Sequence, residues 1–267
     1  MIEIEGGLVR LFRVDAEGRR ALDRQVSLRS LADALAGRGP EGRAGGWGAP
    51  WTGILPPGAR LAVARGSSLV LAIEQAPQVR RVEWRGGTLK DGGGARRQAA
   101  LATPYVVHCL RFFQDRFEEM RVYYRATPIQ GEADPLSFPN LWNVQAAESP
   151  LARCRACLRG RPALEGLAPG DQAEAVIGFF WAAGFNLDVE ENCFDRSRGL
   201  DPRVASVEAW EAATAADPLF PLQVAWSPAG LTLRQAAEHL LHWRHAGAPV
   251  AYAADLADFI YRLPEAR

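Results

Sequence analysis

In the first half of the chain, apolar and polar residues alternate with a period of two, the repeat of a strand with one face turned inward. Residues 61–65 and 69–73 are apolar runs parted by Gly66, Ser67 and Ser68, which predicts a hairpin. Over 78–85, Val82 and Trp84 share one face, with Arg81, Glu83 and Arg85 on the other. Met120, Val122, Tyr124 and Ala126 alternate with Arg121, Tyr123, Arg125 and Thr127, the pattern of a half-buried strand with one wet face. The run 104–113 reads as strand or short buried helix, since periodicity alone does not separate the two. Short loops between these pieces predict an antiparallel meander.

Helical signals dominate the second half. Asp171 with Glu174 three positions on has the form of a capping box, and Gly184 offers a stop. Ser206 is placed to cap a helix through Val207, Trp210 and Ala213 that ends before Pro218. Leu233, Ala236, Ala237, Leu240 and Leu241 form a stripe at helical spacing, and a last helix is predicted over 250–261. Strands first and helices afterwards imply an α+β fold. Residues 1–55 read as a small N-terminal β/α extension, with two strands around Glu3 to Arg13, a helix over 27–36 and a Gly/Pro-rich linker. Residues 56–267 read as the main domain. Gly/Pro-rich segments cover 37–58, 86–97 and 150–170, and loops of that length are usually functional or disordered.

Composition narrows the functional classes. The 267 residues carry 31 basic and 31 acidic side chains, so no excess of positive charge points to nucleic acid or anionic lipid. No stretch reaches the ~18 apolar residues of a membrane helix, and the first residues lack a signal-peptide pattern. Four cysteines in a chain of this length suit reduced thiols in a cytoplasm better than a disulfide scaffold. Lys90 is the only lysine, a bias that codon usage in a GC-rich genome explains and that avoidance of surface amines would also produce.

Chemistry concentrates after a Pro-Asn turn. Ser137, Phe138, Pro139 and Asn140 lead to Asn143, and Cys154 and Cys157 follow 11 and 14 positions beyond Asn143. Arg153, Arg155, Arg159 and Arg161 surround the two thiols, and nearby positive charge favours the nucleophilic thiolate. An asparagine ahead of such a cysteine either orients the loop through backbone bonds or offers its amide to an oxyanion.

This order of strand, Phe138-Pro139-Asn140, Asn143-Val144, cysteine loop and helix resembles the ubiquitin-conjugating-enzyme superfamily. It is most similar to prokaryotic ubiquitin-conjugating-enzyme-like family D, the PRTRC system protein B-like branch. The matching residues are Leu136 to Asn140, Asn143-Val144, Cys157 with Gly160 three positions on, and Phe179-Phe180. Phe138 stands where the eukaryotic motif has histidine, and the loop from Asn143 to either cysteine is longer than the family's. The Cys-x-x-Gly ending and the distance to Phe179 favour Cys157 as the nucleophile, whereas the shorter gap from Asn143 favours Cys154.

The resemblance implies an antiparallel β-meander followed by C-terminal helices. It implies a transferase that carries a ubiquitin-like protein as a cysteine thioester, with Asn140 or Asn143 supporting the loop and the tetrahedral intermediate. The implied partners are the ubiquitin-like protein, its adenylating (activating) enzyme and a deconjugating metalloprotease from the same operon. No cofactor and no metal is implied. Asp195 and Asp201, expected in an irregular segment after the first C-terminal helix, are the nearest candidates for the base that deprotonates an acceptor amine.

Other readings compete. A non-catalytic relative of the same fold would bind the activating enzyme or the ubiquitin-like protein as a scaffold. Cys154 and Cys157 are also half of a zinc site that His242 and His245 would complete, and the same Cys-x-x-Cys spacing occurs in redox motifs. His108 and Cys109, in an apolar run, are expected in the core, and Cys193 is expected to be inert or buried. Trp47 and Trp51 fit a partner surface or a core. Gly37, Gly39 and Gly42 match GxGxxG in spacing without the strand and helix that the fingerprint needs, and 91–94 lacks the rest of a phosphate loop.

Overall fold

The computed structural model describes residues 2–14, 18–28, 55–65, 68–87, 94–113, 116–145, 153–158, 160, 162–189 and 193–242. Two compact units divide them, one holding the N-terminal strands and the other Thr52–His242. Trp47, Trp51, Gly37, Gly39, Gly42, Lys90, His245 and the helix expected over 250–261 lie outside the described residues.

The N-terminal unit has three strands where two were expected. β1 (Ile2–Glu5), β2 (Leu8–Val14) and β3 (Arg20–Ser27) form an antiparallel sheet in that order. Gly6 and Gly7 turn the chain between the first two, both in the left-handed region at φ 56° and 78°. Val9 and Val26, opposite each other in the register, are buried. The third strand has few apolar residues on a fixed face, so its sequence carries little period-two signal. The helix expected over 27–36 lies, beyond Leu28, outside the described residues.

The larger unit is α+β with mostly antiparallel sheets. The hairpin of β4 (Ala59–Arg65) and β5 (Ser68–Gln75) forms as the sequence predicts. β6 (Gln78–Arg85) and β7 (Arg96–Thr103) pair with each other. β8 (Tyr105–Phe113), β9 (Arg116–Arg125) and β10 (Pro135–Ser137) then return to β5. The expected simple meander is therefore interrupted. A six-stranded sheet runs β12-β10-β9-β8-β5-β4, and a three-stranded sheet runs β11-β6-β7. β11 (Gly184–Phe185) and β12 (Pro228–Thr232) come from the helical half, and β11 joins β6 in parallel. The segment 104–113, ambiguous in sequence, is the strand β8, with His108 and Cys109 fully buried.

The helices carry the apolar stripes that cover these sheets. α1 (Pro169–Ala182) buries Val176, Ile177, Phe180 and Trp181 and packs on β6, β8 and β9. It begins before the expected cap, with Pro169 in the first turn and no side-chain bond at Ala168. A proline needs no hydrogen-bond acceptor there, so Asp171 serves in the first turn, where the helix dipole favours an acid. α2 (Cys193–Leu200) occupies a stretch expected to be irregular. α3 (Val207–Ala216) is capped by Ser206, whose Oγ accepts from the Ala209 N–H at 3.1 Å. It is pinned to β7 by Trp210 Nε1 donating to the Ala102 carbonyl at 2.8 Å. α4 (Leu233–His242) buries Leu233, Ala236, Ala237 and Leu240 and packs on β4, β5 and β8. Among the described residues, no helix is long and apolar enough to cross a membrane.

β9 departs from expectation in a way that shapes the site. Its predicted wet face is buried: Arg121 and Tyr123 are both 0% exposed. Glu119, two positions earlier on the same side of the strand, accepts from Arg121 Nε at 3.0 Å. A buried ion pair repeats with the same period as a solvated face, so alternation cannot tell them apart.

Candidate cysteine site

β10 ends at Ser137, and the turn that follows places Asn140 in the left-handed region at φ 43°. Asparagine tolerates that conformation better than most residues. Asn140 is buried, and its carbonyl accepts from Cys193 Sγ at 2.9 Å. Its amide Nδ2 is also buried and makes no hydrogen bond. Trp142, two positions on, packs against Trp84 at 4.7 Å between ring centroids, which anchors the segment in the core.

The cysteine segment is not the irregular loop that its sequence suggests. Residues 154–157 run between β9 and residues 143–145 and are bonded along both edges, with bridges from Arg155 to Arg121 and from Ala156 to Val144. On one edge the Val122 N–H donates to the Cys154 carbonyl at 2.9 Å and the Ala156 N–H to the Met120 carbonyl at 2.9 Å. On the other, the Cys154 N–H donates to Gln145 at 2.8 Å, the Gln145 N–H to Arg155 at 2.9 Å and the Cys157 N–H to Asn143 at 2.7 Å. These bonds use the backbone groups that strand pairing needs, so the segment behaves as a short inserted strand. Cys154 takes φ 63° within it.

Four thiols are present and none is in a disulfide. Cys109, Cys154 and Cys193 are buried at 0%, 0% and 1% exposure, whereas Cys157 is partly exposed. Burial and the exclusion of water push the Cys109 thiol up to about 12. Solvent therefore reaches only one of the two loop cysteines, the one followed three positions later by Gly160. Gly160 lies at φ 89°, where a side chain would stand 3.9 Å from the Phe179 ring of α1. The Cys-x-x-Gly ending and the Phe179-Phe180 pair thus lie against each other.

Asn143 is buried, and its side chain bridges to the neighbouring sheet. Nδ2 donates to the Gly184 carbonyl, and Oδ1 accepts from the Asn186 N–H, each at 3.4 Å. Together with its carbonyl bond to Cys157, it links the cysteine segment to β11. Among the described residues, no hydrogen bond joins Asn140 to Cys157, so the two asparagines serve different cysteines.

The arginines around the thiols are employed elsewhere. Arg153 donates to the Ala229 carbonyl at 2.8 Å and lies 5.5 Å from the Phe138 ring centroid. Arg155 Nε is 3.9 Å from Glu119 Oε2, beside a cavity of about 140 Å³ that Met120, Ala156, Leu158 and Gly160 also line. Arg159 and Arg161 lie outside the described residues. Glu119 could not be found from sequence, because nothing local links it to a segment more than 30 positions on.

Asp195 and Asp201, the two candidate bases, each lie beside an arginine. Asp195 is in α2 rather than in an irregular segment, and sits 3.7 Å from Arg198. Asp201 accepts from Arg203, and that guanidinium holds its carboxyl below the usual carboxylate range. The zinc reading pairs a buried Cys154 with histidines outside the described side chains. No group of three metal-binding side chains occurs among those described.

Comparison of the chain with family models, curated proteins and solved structures gives no match.

Proposed function

We propose that this chain is a bacterial transferase of ubiquitin-conjugating-enzyme-like type that carries a ubiquitin-like protein as a thioester on Cys157. One observation carries the reading. A single solvent-reached cysteine ends a segment clamped on both edges, with its N–H fixed to the buried Asn143. A nucleophile that must meet two large protein partners in turn needs exposure, and it needs a rigid backbone so that attack geometry is not lost to loop motion. The order of turn, asparagine, cysteine, glycine and Phe-Phe helix supports the family D resemblance.

In the first step the Cys157 thiolate attacks the thioester carbonyl carried by the activating enzyme. A new C–S bond forms, and the enzyme's own thiolate leaves. In the second step an acceptor amine attacks that carbonyl, an amide forms, Cys157 leaves as thiolate and the amine proton passes to solvent. Asn143 acts as a positioning residue through its carbonyl. Asn140 carries a buried amide without an acceptor, and the family resemblance gives it the role of donor to the developing oxyanion.

A second reading is a scaffold of the same fold that binds the activating enzyme or the ubiquitin-like protein without transfer. It is favoured by the engagement of Arg153 and Arg155 and by the absence, among the described residues, of a carboxylate or imidazole bonded to Cys157. The test is incubation with the activating enzyme and ubiquitin-like protein of the same operon and ATP. A carrier gives an adduct lost on adding thiol and absent in Cys157→Ala, whereas a stable complex with no adduct selects the scaffold.

A further inference from the structure

A second feature lies where helix α1 meets β6. Arg80 in β6 lays its guanidinium over Trp181, with Cζ 4.0 Å from the ring centroid, and donates from Nη2 to Gln75. Its Nε is buried with no hydrogen-bond acceptor. Among the described residues no carboxylate lies within 4.0 Å of its nitrogens. Desolvation lowers its pKa only to about 10, so the guanidinium stays charged at neutral pH. The buried rings beside it, His108 and Tyr124, supply no balancing charge. Burial, and then the Arg80 charge, bring His108 down to about 3, which leaves it neutral, and burial raises Tyr124 above the usual phenol range. A half-buried cation without a counter-ion is costly, and an anion would relieve that cost.

Arg80 opens onto a cavity of about 350 Å³ whose apolar walls are Ile73, Ile177, Trp181 and Pro57, with Gln75 and Glu174 also in its lining. Gly178 of α1 also lines it, and a side chain there would meet no atom within 4 Å. Glycine inside a helix costs ~1 kcal/mol relative to alanine. This one leaves open space in the wall of the cavity. Mostly apolar walls with a few polar groups, here Arg80, Gln75 and Glu174, match the usual make-up of a small-molecule site.

We propose that this cavity binds a small organic monocarboxylate with an apolar body, the carboxylate on Arg80 and the body against Ile73, Ile177 and Trp181. Arginine and carboxylate form charge-assisted bonds that a hydroxyl cannot match. Glu174 lines the same cavity and is exposed, so a second carboxylate at that end would meet like charge.

The test uses 3-phenylpropionate and 3-phenylpropanol as probes, with the Trp181 indole N–H resonance as the readout in the full-length protein. The carboxylate should shift that resonance with a dissociation constant below about 20 mM and bind about tenfold tighter than the alcohol. Arg80→Met should remove the preference. Gly178→Leu should abolish binding of both probes while thermal stability holds or rises, which separates blocking from misfolding. Equal binding of acid and alcohol, unchanged binding in Gly178→Leu, or no shift up to about 20 mM would overturn the proposal.

Discussion

The Cys157 N–H donates to the Asn143 carbonyl over 2.7 Å, which ties the exposed thiol to a buried residue of the preceding turn. The side chain of Asn143 extends that tie to Gly184 and Asn186. Replacing it with alanine leaves the carbonyl bond but frees β11 from the segment. Asn143→Ala should lower stability by about 1–2 kcal/mol in urea denaturation. It should also slow charging of Cys157, because the carbonyl that holds the thiol is no longer fixed. Unchanged charging in a destabilised variant would reduce Asn143 to a purely structural role.

Thiol accessibility gives a second expectation. Only Cys157 is reached by solvent, so a disulfide reagent should titrate one thiol of the four quickly in the native protein and all four after denaturation. Cys157→Ala should remove the fast phase, and Cys154→Ala should leave it intact. A fast phase that survives Cys157→Ala would place the reactive sulfur elsewhere.

Asn140 separates backbone strain from chemistry. At φ 43° an alanine is strained and a glycine is not, and either change removes a buried amide that has no partner. Asn140→Gly should therefore match or exceed the wild type in stability, whereas Asn140→Ala should lose about 1 kcal/mol. If the amide serves the tetrahedral intermediate, both variants should form the thioester normally and discharge it slowly. Single-turnover discharge to an added amine measures this directly.

Much of this architecture is legible in the sequence wherever the signal is local, in an apolar run, an amphipathic face or a cap. The β4–β5 hairpin, the Val82 and Trp84 face of β6, the Ser206 cap and the Leu233 to Leu240 stripe all follow from local pattern. Elements paired at long range are not legible. β9 reads as half-exposed because Glu119 and Arg121 satisfy each other inside the protein. The cysteine segment reads as a loop because its bonding partners are supplied by β9 and by residues 143–145. The Asn140 and Cys193 contact spans more than 50 positions, and no spacing rule announces it.

His108 should govern much of the acid sensitivity. Its folded pKa is depressed from 6.5 to about 3, chiefly by burial. Above pH 6.5 the ring is neutral in both states, and its environment costs nothing in protonation. As pH falls below that value, the unfolded chain takes up a proton that the folded one refuses. Stability then declines, by up to ~1.4 kcal/mol per pH unit, until the folded pKa is reached. His108→Phe keeps the ring packing on Phe180 and Trp181 and removes two nitrogens that make no hydrogen bond. It should hold stability at pH 7 and flatten the decline between about pH 6 and 4 in equilibrium denaturation. An unchanged slope would assign the acid loss to other groups.

The most direct test of the carrier reading is chemical trapping at Cys157. Cys157→Ser, incubated with the activating enzyme, the ubiquitin-like protein and ATP, should accumulate an oxygen ester that survives thiol treatment. Peptide mapping should place it on position 157, and Cys154→Ser should show only the thiol-labile adduct of the wild type. A thiol-labile adduct that persists in Cys157→Ser, or the absence of any adduct in the wild type, would contradict the account.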